Sequence, residues 1–209
     1  MNGNPAPEYL RSLVAELCKL PVETGWVEFK ENNANPQDIG EYLSALSNAA
    51  ALQGQANGYV VWGVKDATHE VVGTSFHPGK SKFGNEDLVN WLTRLLSPKL
   101  HFQFHELTHE GKPVVILEIP RAHGRPVQFQ GVEFIRVGSY RQKLKDHPQV
   151  EQSLWRVFDT TPFEELLALR HADSADVLLL LDYPAFFELL EQPLPTDRET
   201  ILARLAADR

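Results

Sequence analysis

Gly58-Tyr59-Val60-Val61-Trp62-Gly63-Val64 decides the fold. Its apolar side chains fall on both parities of the strand repeat, so both faces of the strand must be covered, as at the centre of a sheet with helices on either side. Upstream, Trp26-Val27-Glu28-Phe29-Lys30 alternates around aromatic and β-branched residues and predicts a short strand. Between the two, Asn35-Pro36 offers an N-cap and a first-turn proline. Ile39, Leu43, Leu46 and Ala50 then recur on one helical face out to about Leu52. A strand, a helix and a second strand connected in this way form a parallel, right-handed crossover.

Working outward, Leu10, Leu13, Val14 and Leu17 predict a helix over about 7–19, ended by Pro21. Downstream, Glu70-Val71-Val72-Gly73 reads as a hairpin return, and a helix is expected over about 85–97, closed by Pro98. Two strands, His101–Thr108 and Lys112–Ile119, meet at the turn His109-Glu110-Gly111, and a last strand covers Glu133–Val137 before Gly138-Ser139. From about His147 the pattern changes to short helices, 149–158, 162–170, 175–181, 184–190 and 196–207, separated by prolines. The expectation is an α/β (α+β) protein. It has a mixed β-sheet flanked by helices over residues 1–146 and a small acidic helical appendage over 147–209, leading to downstream modules of a longer protein.

Composition sets the outer limits. With 209 residues, 43% hydrophobic and 23% charged, the chain is neither disordered nor low-complexity. No apolar run approaches the ~18 residues of a membrane span, and Met1-Asn2-Gly3-Asn4-Pro5 lacks the features of a signal peptide. The single cysteine, Cys18, allows no internal disulfide and no CxxC knuckle. A cytoplasmic protein with no membrane partner is expected. The net charge is −8, but residues 1–150 hold 15 basic and 16 acidic side chains whereas 151–209 hold 5 and 12. Within 121–145, Arg121, Arg125, Arg136, Arg141, Lys143 and Lys145 face one acid, Glu133. Such a local ribbon matters more for phosphate binding than the global sum.

Two tempting motifs fail on spacing. Gly79-Lys80-Ser81 lacks the glycine five positions before Gly79 that a phosphate-binding loop needs; Thr74 stands there. His101, His105 and His109 would share a face on a helix. Phe102 and Phe104 mark the segment as a strand, where residues four apart lie roughly 13 Å from each other, too far to share a metal. The carboxylates Glu23, Glu28 and Asp66 are more informative: parallel pairing of the first two strands would carry Glu28 and Asp66 toward the carboxyl ends, where open α/β sheets bind ligands. Three converging carboxylates can hold a divalent cation such as Mg²⁺ or Mn²⁺.

Five segments in order carry a resemblance. These are Glu23-Thr24-Gly25-Trp26-Val27-Glu28-Phe29-Lys30; Asp38-Ile39 through Ser47-Asn48-Ala49-Ala50; Tyr59 through Asp66 with Val71-Val72-Gly73; Lys112 through Pro120; and Phe134-Ile135-Arg136-Val137-Gly138-Ser139. Over about residues 20–145 the chain is similar to the Schlafen AlbA-like domain. The resemblance implies a mixed α/β domain commonly called DNA-binding, which often opens bacterial proteins described as transcriptional regulators or ATP-binding, helicase-related proteins. In animal relatives two such lobes form a clamp that cleaves structured RNA with two glutamates and an aspartate. Glu23, Glu28 and Asp66 fall on those motif positions, as catalytic and metal-binding candidates. The present chain has one lobe, and Gln53–Gly58 replaces a tight Gly-Gly turn.

The function expected is therefore a nucleic-acid-binding module of a regulatory or defence protein, acting on DNA or structured RNA. Lys30, Arg121, Arg125, Arg136, Arg141, Lys143 and Lys145 are the candidate contacts. The alternatives are a metal-dependent endoribonuclease and a nucleotide (ATP)-linked regulatory domain. Enclosing a nucleic acid with a single lobe calls for a homodimer, for which Trp155, Phe158, Phe163, Phe186 and Phe187 offer an aromatic patch.

Overall fold

The computed structural model describes residues 5–20, 24–138, 140–160 and 173–207. They divide into an α+β unit, Ala6–Glu164, and a C-terminal helical unit. The crossover is present as expected. β1 (Val27–Lys30) pairs in parallel with β2 (Asn57–Trp62), Glu28 opposite Val60, and α2 (Pro36–Leu52) connects them. Asn35 caps α2 by accepting the Gln37 N–H at 2.9 Å. β2 also pairs antiparallel with β7 (Lys112–Pro120), which pairs with β6 (Gln103–His109), giving the order β1-β2-β7-β6. α1 (Pro7–Leu17) covers one face of this mixed sheet through Leu10, Val14 and Leu17, which pack with Val27, Phe29, Val61 and Ile116.

The structure goes further than the sequence reading on the other face. β9 (Val132–Val137) is not the last strand: β10 (Tyr140–Lys143) follows it, and with β8 (Gln128–Phe129) and β5 (Leu96–Ser97) they build a second, antiparallel sheet in the order β10-β9-β8-β5. The helix expected over 85–97 is correspondingly shorter. α3 is Leu88–Leu95; β4 (Glu86–Asp87) pairs with β3 (Lys82–Phe83), and in β5 Leu96 and Ser97 pair with Phe129 and Gln128.

α2 packs against both sheets, and this explains its composition. From Leu43 to Ala51 every residue, large or small, is buried, rather than one apolar stripe. Gly58 lets β2 approach, since a Cβ there would sit 2.8 Å from the Leu46 carbonyl oxygen. Gly40 makes room for the Phe129 ring, which a Cβ would meet at 2.1 Å. Three buried polar residues on the same helix hold the second sheet. Ser44 Oγ donates to the Val127 carbonyl at 2.7 Å and accepts the Phe134 N–H at 2.9 Å. Asn48 Nδ2 donates to the carbonyls of Val127 and Phe134 at 3.0 and 2.9 Å, and Asn48 Oδ1 accepts the Val127 N–H at 2.7 Å. Ser47 Oγ donates to the Pro120 carbonyl at 2.6 Å.

α4 (Pro148–Thr160), at the start of the expected appendage, belongs to the α+β unit and buries Leu154 in its core; Phe158 packs there too, and Trp155 is 41% exposed. The C-terminal unit contains α5 (Ser174–Leu180), α6 (Tyr183–Leu189) and α7 (Arg198–Ala207), with Phe187 and Ile201 buried. The helix expected over 162–170, including Phe163, lies outside the described residues. No helix among the described residues is long and apolar enough to cross a membrane.

Replacing Asn48 by Ala removes three hydrogen bonds and leaves buried backbone groups without partners, at a cost of about 3 kcal/mol. Urea denaturation should show that loss, and a smaller one, about 1 kcal/mol, for Ser47→Ala, which loses a single bond. Equal midpoints for the two variants would contradict the role given to Asn48.

Candidate functional site

Strand alternation directs Glu28 and Lys30 toward α2, and the sheet closes over them. The Glu28 carboxylate is buried, and both its oxygens are taken. Oε1 accepts the Tyr42 hydroxyl at 2.8 Å and pairs with the Lys30 ammonium at 2.5 Å. Oε2 pairs with the guanidinium of Arg136, which stands on β9 and also donates to the Val27 carbonyl at 3.3 Å. Burial, and then the charge of nearby Arg141, pull the Arg136 guanidinium below its ordinary pKa. A buried arginine needs a counter-charge, and Glu28 supplies it.

Arg141, on β10, is held in turn by α2. Its Nη2 lies 2.7 Å from Asp38 Oδ1 and its Nε 2.7 Å from Glu41 Oε2. The Tyr42 ring lies between two cations, with the Arg141 guanidinium carbon 4.5 Å and the Lys30 ammonium 5.5 Å from its centre. Lys30, Arg136 and Arg141 balance Glu28, Asp38 and Glu41. The seven candidate contacts thus divide: three of them, Lys30, Arg136 and Arg141, are bound into a neutral network.

The other four are free. Arg125, Lys143 and Lys145 are exposed and Arg121 is half-buried. Among the described residues none of the four has an ion-pair or side-chain hydrogen-bond partner. The backbone gathers them at the C-terminal half of α2. Arg121 N–H donates to the Ala56 carbonyl at 3.1 Å and Ala122 N–H to the Ser47 carbonyl at 3.0 Å. Asn48 ties Val127, two residues after Arg125, to Phe134, whose register partner on β10 is Lys143. Nothing in the residue types separated free from bound cations; the separation depends on which acids α2 and β1 place opposite them.

Of the carboxylates implied by the resemblance, Glu28 and Asp66 lie among the described residues. Glu23 lies outside the described residues. Asp66 is exposed beyond β2, and Glu28 points into the network. The described residues contain no group of three His, Cys, Asp or Glu able to hold a metal. With both oxygens engaged by Lys30, Tyr42 and Arg136, Glu28 does not fit a divalent cation. Of the histidines, His105 and His109 stand on β6 as strand residues, and His105 Nε2 lies 3.1 Å from Glu118 Oε2 inside the sheet.

Glu28→Gln should therefore act on stability. Removing the anion between two cations costs about 3–5 kcal/mol when the pair is buried. The drop in thermal midpoint should be the same with and without Mn²⁺. A midpoint that Mn²⁺ raises only when Glu28 is present would contradict this assignment.

Comparison with solved structures gives limited likeness. The DIP2311 protein of Corynebacterium diphtheriae matches with 15% identity and a TM-score of 0.40, over 64% of this chain and 25% of that one. The N-terminal domain of a RecG-related protein of Nitrosomonas europaea, named for an ATP-dependent DNA helicase, matches with 21% identity and a TM-score of 0.38, over 54% and 72%. The chain thus spans about a quarter of the length of the Corynebacterium protein. Comparison with curated proteins gives no match. The sequence pattern of the family described as Schlafen, AlbA_2 covers residues 23–145, which is more than half of the chain. Residues 23–145 take in the crossover, α2 and the closing strands, and over them this chain belongs to the Schlafen AlbA_2 family.

Proposed function

We propose that the chain is a nucleic-acid-binding module of a regulatory protein, and that Arg121, Arg125, Lys143 and Lys145 are its phosphate contacts. The observation that carries this reading is the division of the ribbon. Four cations stand without ion-pair partners among the described residues, on two segments joined through Asn48, while Lys30, Arg136 and Arg141 are neutralised by Glu28, Asp38 and Glu41. Free cations gathered at one end of a helix attract a polyanion, and they do so despite a net charge of −8 because the field close to the surface is local. Family membership and the helicase-related name of one structural neighbour agree with a nucleic-acid association. Cleavage of the bound strand would require Glu28 to leave Lys30, Tyr42 and Arg136, so binding is the reading supported here.

Duplex DNA titrated at several salt concentrations tests it. Four neutralised phosphates give a log–log slope of about −3.6, at ~0.9 per contact. Arg125→Ala combined with Lys143→Ala should flatten the slope by about 1.8. Absence of binding at low salt, or an unchanged slope in the double variant, would overturn the proposal.

A further inference from the structure

Tyr140 opens β10 at the tip of its hairpin with β9, opposite Val137. It is 71% exposed, more than any other aromatic side chain among the exposed large hydrophobic residues described. The others in that group have company: Phe83 stacks on Trp91 at 4.3 Å, Trp155 meets Phe158 edge-on at 5.7 Å, and Tyr9 has a partner of its own. Tyr140 has neither a ring contact nor a hydrogen-bond partner among the described residues. Its backbone, by contrast, is fixed. Arg141, the next residue, is clamped by Asp38 and Glu41, and the strand register continues through Gln142 opposite Ile135 and Lys143 opposite Phe134.

We infer that Tyr140 is a stacking platform for an unpaired nucleic-acid base, which makes single-stranded DNA or RNA the preferred ligand of this module. The inference rests on the nucleic-acid reading above. An exposed ring on a rigid strand presents a flat apolar face at little conformational cost. Lys143 lies three residues along β10, roughly 10 Å away and on the strand face opposite to that of Tyr140, and Lys145 follows in the next turn. Both are exposed and have no partner among the described residues, and β10 is an edge strand, so a single strand that crosses this edge from a base stacked on Tyr140 brings its phosphates to them. Arg141 is on the inward face, held by α2, and leaves the outward position to Tyr140. Duplex bases are stacked on one another and present no free face to such a ring; a single strand does.

The test compares Tyr140→Ala, Tyr140→Trp and the unaltered chain by fluorescence anisotropy, with a labelled mixed-sequence single strand and the matching duplex. Circular dichroism and thermal midpoints should be unchanged, because the ring is largely exposed and has no ring or hydrogen-bond partner among the described residues. Tyr140→Ala should weaken single-strand binding by about 5- to 150-fold, the range for loss of one stacked base. Tyr140→Trp should retain it, and duplex binding should change little in either variant. If the unaltered chain binds the single strand and Tyr140→Ala binds it equally well, the stacking role is overturned and the phosphate reading stands. If the unaltered chain binds neither strand form at low salt, both fail.

Discussion

The structure depends on the carboxamide of Asn48. α2 is enclosed between two sheets, and the second of these has strands too short to satisfy their own backbone. Unpaired carbonyls of Val127 and Phe134 inside such a core would each carry a desolvation penalty. Asn48 meets both with its two N–H donors and uses its oxygen for the Val127 N–H, so all three of those hydrogen bonds come from one buried side chain. Ser44 and Ser47 complete the set. Polar groups at these positions convert a helix that packs by shape into one that fixes the register of what lies over it.

That register has an electrostatic consequence. With β9 and β10 held over the first half of α2, Arg136 meets Glu28, and Arg141 meets Asp38 and Glu41. Each buried cation finds an anion, as charges removed from water require. The segments beyond the network, the loop after β7 and the end of β10, carry cations that no acid among the described residues meets. On the proposed reading, the binding face is what remains after the interior has been neutralised. A carboxylate at a motif position therefore has a role that depends on what faces it, and Glu28 faces Lys30, Arg136 and Tyr42.

Much of the architecture was legible in the sequence. The double-sided apolar run at 58–64, the Asn35-Pro36 start and the alternation at 26–30 led to the parallel pair and its crossover, since each is a local pattern with a local cause. The second sheet was harder to see. β5 and β8 are two residues each, too short to show alternation, and β10 reads Tyr-Arg-Gln-Lys, without the apolar residues that mark a strand. The site was legible as a list and not as a grouping. Seven cations could be named, but which of them are neutralised depends on ion pairs between residues far apart in sequence, such as that between Arg136 and Glu28. Ser44 and Asn48 likewise look like surface positions until the second sheet is known to cover them.

The central claim, that the free cations around the C-terminal half of α2 form the binding face, is tested most directly by nuclear magnetic resonance. Backbone amide shifts of the 209-residue chain should be followed while a short oligonucleotide is added. The account predicts shifts concentrated in residues 121–127 and 140–145, with the turn at 65–69 unaffected. Shifts centred on Asp66 and the adjoining turn, with 121–127 and 140–145 unmoved, would contradict it.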